Sequence, residues 1–235
     1  MHHEASGSAR SRGPAAALLL GGVGQARADF LITFGALNLP QNSSGFLPVF
    51  IQSTIPGGQP LDFTAFEFRI TTSSGRLLEF RNSPAPSSDP TFANPNYVFF
   101  GDSGDQMSAP PSPLGAAFTT TTANDSFMGG DVKADPPPAV VPSASSELLA
   151  ELPVSAVTAR AGDTFTISLV PSSAAGFSGN TGFAANGVFA PFTSIPGTVT
   201  ITPAVTAVPE PASLTLLGLG ALGLLGYGWR KRKTV

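Results

Sequence analysis

Three carboxylates stand nearest to chemistry. Asp102 and Asp105 lie in a Gly/Ser turn, and Asp131 falls in a second loop with Asp125 and Asp135. Hard cations such as calcium take several oxygens from flexible loops. Asp102, Asp105 and Asp131 are the residues that could serve as calcium ligands, but their spacing is not that of an EF-hand, and the preferred reading is solvated turn carboxylates with no metal site assigned. Glu67 and Glu79 lie in neighbouring predicted strands. As a glycosidase pair they would have to face one another at about 5–9 Å, whereas as strand residues they are expected to face solvent. Tyr97 is the candidate aromatic platform for a sugar, since the only tryptophan, Trp229, lies in the tail.

Gly101-Asp102-Ser103-Gly104 resembles the nucleophile segment of trypsin-like proteases, but that family continues with Gly and this chain has Asp105. A serine nucleophile needs an imidazole base within reach. The only histidines are His2 and His3, both in the leader. Ser103 is accordingly read as a turn residue, and no catalytic residue is assigned. The absence of cysteine removes disulfides, thiolate zinc sites and cysteine nucleophiles. No phosphate-binding Gly loop followed by Lys occurs, so no cofactor is implied. The reading is of a protein that is not an enzyme.

Positioning such residues falls to a strand-rich body. Phe30, Ile32 and Phe34 alternate, as do Leu47, Val49 and Ile51. Leu61, Phe63 and Ala65 share one parity and Phe66, Phe68 and Ile70 the other, which fits a bulge or a strand buried on both faces. Residues 71–75 read as a turn, and 76–80 as the returning strand of a hairpin. Phe165, Ile167 and Leu169 mark another strand, and Val199 and Ile201 close the alternation. The expected fold is all-β, an antiparallel β-sandwich of jelly-roll or Ig-like type over residues 29–202. Residues 108–142, with their Pro-rich runs, form a loop or linker within it.

Charge is uneven. From Asp29 to Pro209 there are 5 basic and 13 acidic residues, a balance of −8, whereas residues 230–233 carry +4. The body is not built for nucleic acid.

The two ends are apolar. Arg10 and Arg12 precede the stretch from Ala15 to Gly24, and Ala26-Arg27-Ala28 ends it. Basic, then apolar, then A-x-A is the pattern of a secretory signal peptide, here residues 1–28, with the cut between Ala28 and Asp29. At the other end residues 203–211 form a linker. Residues 212–229 carry no charge and, as a helix of roughly 27 Å, are expected to be a single transmembrane helix. Residues 230–235 would then be a basic cytoplasmic tail.

Pro209-Glu210-Pro211, the apolar stretch and Arg230-Lys231-Arg232-Lys233 together resemble the PEP-CTERM sorting signal of exported bacterial proteins. The resemblance implies that Pro209, Glu210 and Pro211 are the sorting motif, and Arg230, Lys231, Arg232 and Lys233 its basic cluster. It also implies recognition by an exosortase-like membrane enzyme in Gram-negative bacteria that make extracellular polysaccharide. The resulting expectation is an exported surface or extracellular-matrix protein of structural or interaction type. It would pass through a single-pass membrane precursor, with the export machinery, an exosortase-like enzyme and extracellular polysaccharide as partners. The alternative is a carbohydrate- or calcium-binding module.

Overall fold

The computed structural model describes residues 29–71, 77–120, 123–171, 181–204 and 212–232. The leader, with Ala28, the motif residues Pro209, Glu210 and Pro211, and Lys233 lie outside the described residues.

In chain order the first strands are β1 (Phe30–Phe34), β2 (Ala36–Pro40), β3 (Ser44–Ser53), β4 (Gln59–Leu61), β5 (Phe63–Thr71) and β6 (Leu78–Phe80). Two single helical turns follow, α1 (Pro90–Ala93) and α2 (Gly104–Met107). Next come β7 (Gly115–Phe118), β8 (Ser126–Val132), β9 (Ala139–Val141), β10 (Glu147–Ala156) and β11 (Thr164–Leu169). The body ends with β12 (Gly182–Ala185), β13 (Val188–Ala190), β14 (Phe192–Ser194) and β15 (Gly197–Thr202), and the chain continues to the helix α3 (Ala212–Arg232).

One sheet has the order β14-β1-β3-β10-β6. The other is organised on β5. Along one edge β5 pairs with β8, which in turn pairs with β7. Its other edge is shared by β11 and β12, with β15 and then β2 beyond β11, and β13 beyond β12. Two pairs, β1 with β14 and β15 with β2, are parallel, so the sandwich is not purely antiparallel.

The alternating residues find one another between the sheets. Phe30, Phe66, Phe68, Phe80, Phe127, Phe165 and Phe183 are all essentially fully buried. Several meet edge to face, as do Phe30 with Phe183 at 6.0 Å and Phe34 with Phe68 at 5.6 Å between ring centroids. Each fully buried Phe contributes about 1.5–3 kcal/mol of transfer free energy, which is how a chain so poor in charge holds together.

Several sequence expectations need correction. Leu61 ends β4, which pairs with β9 in a small separate sheet, and β5 starts afresh at Phe63; within β5, Phe63 and Ala65 lie on the face opposite Phe66, Phe68 and Ile70. Strand β6 does not return against β5. It joins β10 in the opposite sheet, Phe80 opposite Val154. The Pro-rich stretch 108–142 contains β7, β8 and β9, and β8 pairs with β5 from Phe63 to Arg69.

The largest correction concerns the C-terminal end. A helix does form, Ala212–Arg232. Among the described residues, however, no helix is long and apolar enough to cross a membrane. Of residues 212–229, five are glycines, and Ser213 and Thr215 bring hydroxyls. Seven positions thus supply no apolar side chain to lipid. The expected transmembrane helix and the single-pass membrane precursor are both overturned.

Candidate functional site

The sequence-predicted acidic residues meet where α2 is held against the end of β8. Ser103 caps the turn. Its backbone is extended, and its Oγ accepts from the Gln106 backbone N–H at 3.1 Å. Ser103 is buried and its backbone bridges to Lys133, so its hydroxyl has a structural task.

Asp131 is the centre of the cluster. Phe127, Gly129 and Asp131 share one parity of β8, so the carboxylate is carried to a buried position with the core residue Phe127. Its Oδ2 accepts from the Tyr97 hydroxyl at 2.7 Å. Its Oδ1 accepts from the backbone N–H groups of Asp105 at 3.1 Å and Val132 at 2.7 Å. The Asp131 backbone N–H donates to Thr64 Oγ1, and that hydroxyl donates back to the Asp131 carbonyl. A buried charge needs such donors, because leaving it bare costs several kcal/mol.

Tyr97 is therefore not a platform for sugar. Its ring packs edge-on against Phe92 and Phe99, at 5.8 and 6.0 Å, and it is buried. Burial, and then the charge of Asp131, push its hydroxyl well above the ordinary tyrosine range. The Asp105 carboxyl sits beside a cleft of about 240 Å³ lined also by Phe63, Thr64, Ala65, Gly130, Asp131 and Val132. Burial first, then the Asp131 charge, raise its pKa to about 6.

Asp102 is spent elsewhere. Lys133 Nζ donates to its Oδ2, and the Asp135 backbone N–H donates to its Oδ1 at 3.1 Å. The Lys133 hydrogen bond holds the Asp102 carboxyl below its usual value. The fold thus brings Asp105 to Asp131 and commits Asp102 to a lysine. Among the described residues no group of three or more His, Cys, Asp or Glu is arranged to hold a metal ion.

The other acidic pair is separated. Glu67 is on β5 and Glu79 on β6, in opposite sheets. Glu67 is buried rather than solvent-facing, with Arg69 Nε donating to its Oε1 at 2.9 Å. Sequence reading missed the Tyr97–Asp131 bond and the Lys133–Asp102 pair. The parity that Asp131 shares with Phe127 was the one signal available.

A different feature lies on the outer face of the β5 sheet. Val132, Phe63, Ala184 and Phe189 stand opposite one another across β8, β5, β12 and β13. Val132 and Phe189 are exposed, and the rings of Phe63 and Phe189 meet edge-on at 6.2 Å. Met128, also exposed, stands on the same strand as Val132. The row is apolar and faces outward.

At the C-terminal end α3 exposes Leu216, Leu217, Leu219, Leu222, Leu224, Tyr227 and Trp229. Arg230, Lys231 and Arg232 complete its last turn, and Asp29 opens the described chain just before β1. Residues 207–233 match the PEP-CTERM protein-sorting motif. The chain carries an exosortase-type sorting signal. No curated protein matches it. Among the solved structures with likeness to it are cohesins. The seventh ScaB type I cohesin of Pseudobacteroides cellulosolvens has 9% identity and a TM-score of 0.45, over 77% of this chain and 97% of that one. The sixth cohesin of the Acetivibrio cellulolyticus scaffoldin B, solved with a dockerin, has 11% identity and a TM-score of 0.46, over 73% and 98%. A non-cellulosomal cohesin from the archaeon Archaeoglobus fulgidus has 11% identity and a TM-score of 0.42, over 74% and 92%. Likeness at this level fixes neither partner nor activity.

Proposed function

We propose that the chain is an exported surface module of interaction type, sorted through its C-terminal segment. The observation that carries this reading is the match of residues 207–233 to the sorting motif, in which a Pro-Glu-Pro segment, an apolar helix and a basic cluster stand in order. The partner of the body is a protein rather than a polysaccharide. Tyr97, the residue singled out as a sugar platform, is buried, while Val132, Phe189 and Met128 offer the apolar, adaptable contacts on which proteins dock.

The test is to replace Pro209, Glu210 and Pro211 together with alanine in a producing cell. Intact mass and cell fractionation are then compared with the parent. Export continues, and the mature mass or final location changes. Unchanged mass and location would overturn the sorting role.

A further inference from the structure

Two clefts meet at the apolar row and share a wall. One, of about 350 Å³, is lined by Asp62, Lys133, Asp135 and Asn186 among others. The other is the cleft of about 240 Å³ beside Asp105. Phe63 and Val132 line both and form the ridge between them. They stand opposite one another across β5 and β8, and Val132 is 44% exposed.

Charge on the two sides of the ridge is unbalanced. The linings hold the carboxylates of Asp62, Asp105, Asp131 and Asp135 and one cation, Lys133. Lys133 is already spent, because its Nζ donates to Asp102 Oδ2 and to the Asp135 carbonyl. Asp131 is served by Tyr97 and two backbone N–H groups, and Asp62 Oδ2 accepts from the Asn186 N–H at 2.7 Å. Asp105 and Asp135 differ. Among the described residues only their backbone atoms are hydrogen-bonded, so each brings to its cleft a carboxylate that no cation pairs. Burial and the Asp131 charge oppose ionisation of Asp105, and a cation seated beside it would offset both.

We propose that this ridge and its two clefts are the docking site for a segment of a partner protein that carries an apolar side chain between two cationic ones. The apolar side chain covers Val132 and Phe63, and the cations enter the clefts toward Asp135 and Asp105. Charge complementarity selects this occupant. An acidic segment would bring like charge to the carboxylates of both clefts. A purely apolar one would cover Asp105 and Asp135 and leave them without a partner. The inference deepens the reading of the body as a protein-interaction module and rests on it.

The experiment pans a random peptide display library on the folded full-length chain and titrates the selected peptides. Enriched sequences carry Lys or Arg on both sides of an aromatic or branched residue, and their binding weakens as salt is raised. Asp105→Asn and Asp135→Asn each lower affinity about 5-fold, the worth of a half-exposed ion pair. Both variants keep the backbone hydrogen bonds of the parent. Val132→Ser lowers affinity about 10-fold through lost apolar contact. An enriched pool without cations, or cationic binders indifferent to all three substitutions, would overturn the proposal. Self-association of the full chain that Asp105→Asn abolishes would put a second copy in the clefts, and would overturn it too. Binders that map to another face remove this site and leave the interaction reading standing, whereas a library that yields no binder removes both.

Discussion

The sandwich body and the C-terminal helix are both rich in apolar residues, yet they spend them in opposite ways. In the body Phe66 and Phe68 lie within one core, and β5 finds partners along both of its edges. In α3 the described leucines and aromatics are exposed. Alternation at period 2 creates a face that another sheet can cover. Leucines spaced around a Gly-rich helix create no such face. The body covers its own apolar faces, whereas these apolar side chains of the helix stay uncovered.

That contrast can be broken or sharpened by measurement. Phe66→Ala in the body should cost about 3–5 kcal/mol in urea unfolding, because it empties a fully buried site. A cost below about 1 kcal/mol would mean that the core is not the source of stability. Tyr97→Phe should cost about 1–3 kcal/mol, since it leaves the buried Asp131 Oδ2 without the hydroxyl that donates to it. An unchanged midpoint would show that water replaces that donor.

A pH series comes next. The Asp105 pKa is raised from 3.8 to about 6, which favours the protonated form in the folded body. Its stabilising contribution is full below pH 3.8 and is lost as pH rises through about 6. Asp89, Glu147 and Glu151, each raised chiefly by burial, act in the same direction. Asp102, lowered by Lys133, acts in the opposite one. After allowance for solvent screening, Asp105→Asn should reduce the stability difference between pH 4.5 and 7.5 by about 1 kcal/mol. The same pH dependence in parent and variant would remove Asp105 from the account. Leu219→Ala in α3 should have the smallest effect on the body, within about 0.5 kcal/mol by the same unfolding assay. A larger loss would show that the helix packs on the sandwich, and the two regions would no longer be independent.

The sequence by itself determined what is local. The alternation of Phe30 with Ile32, of Leu47 with Val49 and Ile51, and of Phe165 with Ile167 and Leu169 marked the buried face of each strand. It also set out the Pro-Glu-Pro, helix and basic cluster in order, because a peptide signal is read along the chain. Tertiary structure alone decided what is remote. It assigned β6 to β10 rather than β5, since backbone hydrogen bonding is the same with either neighbour and long-range packing makes the choice. It joined Tyr97 to Asp131 across 34 positions, so that a candidate sugar platform and a residue read as a solvated turn carboxylate make one buried hydrogen bond. It also separated Glu67 from Glu79 and buried the former. A carboxylate's chemistry depends on the donors and dielectric around it, and those come from segments that sequence order does not place side by side.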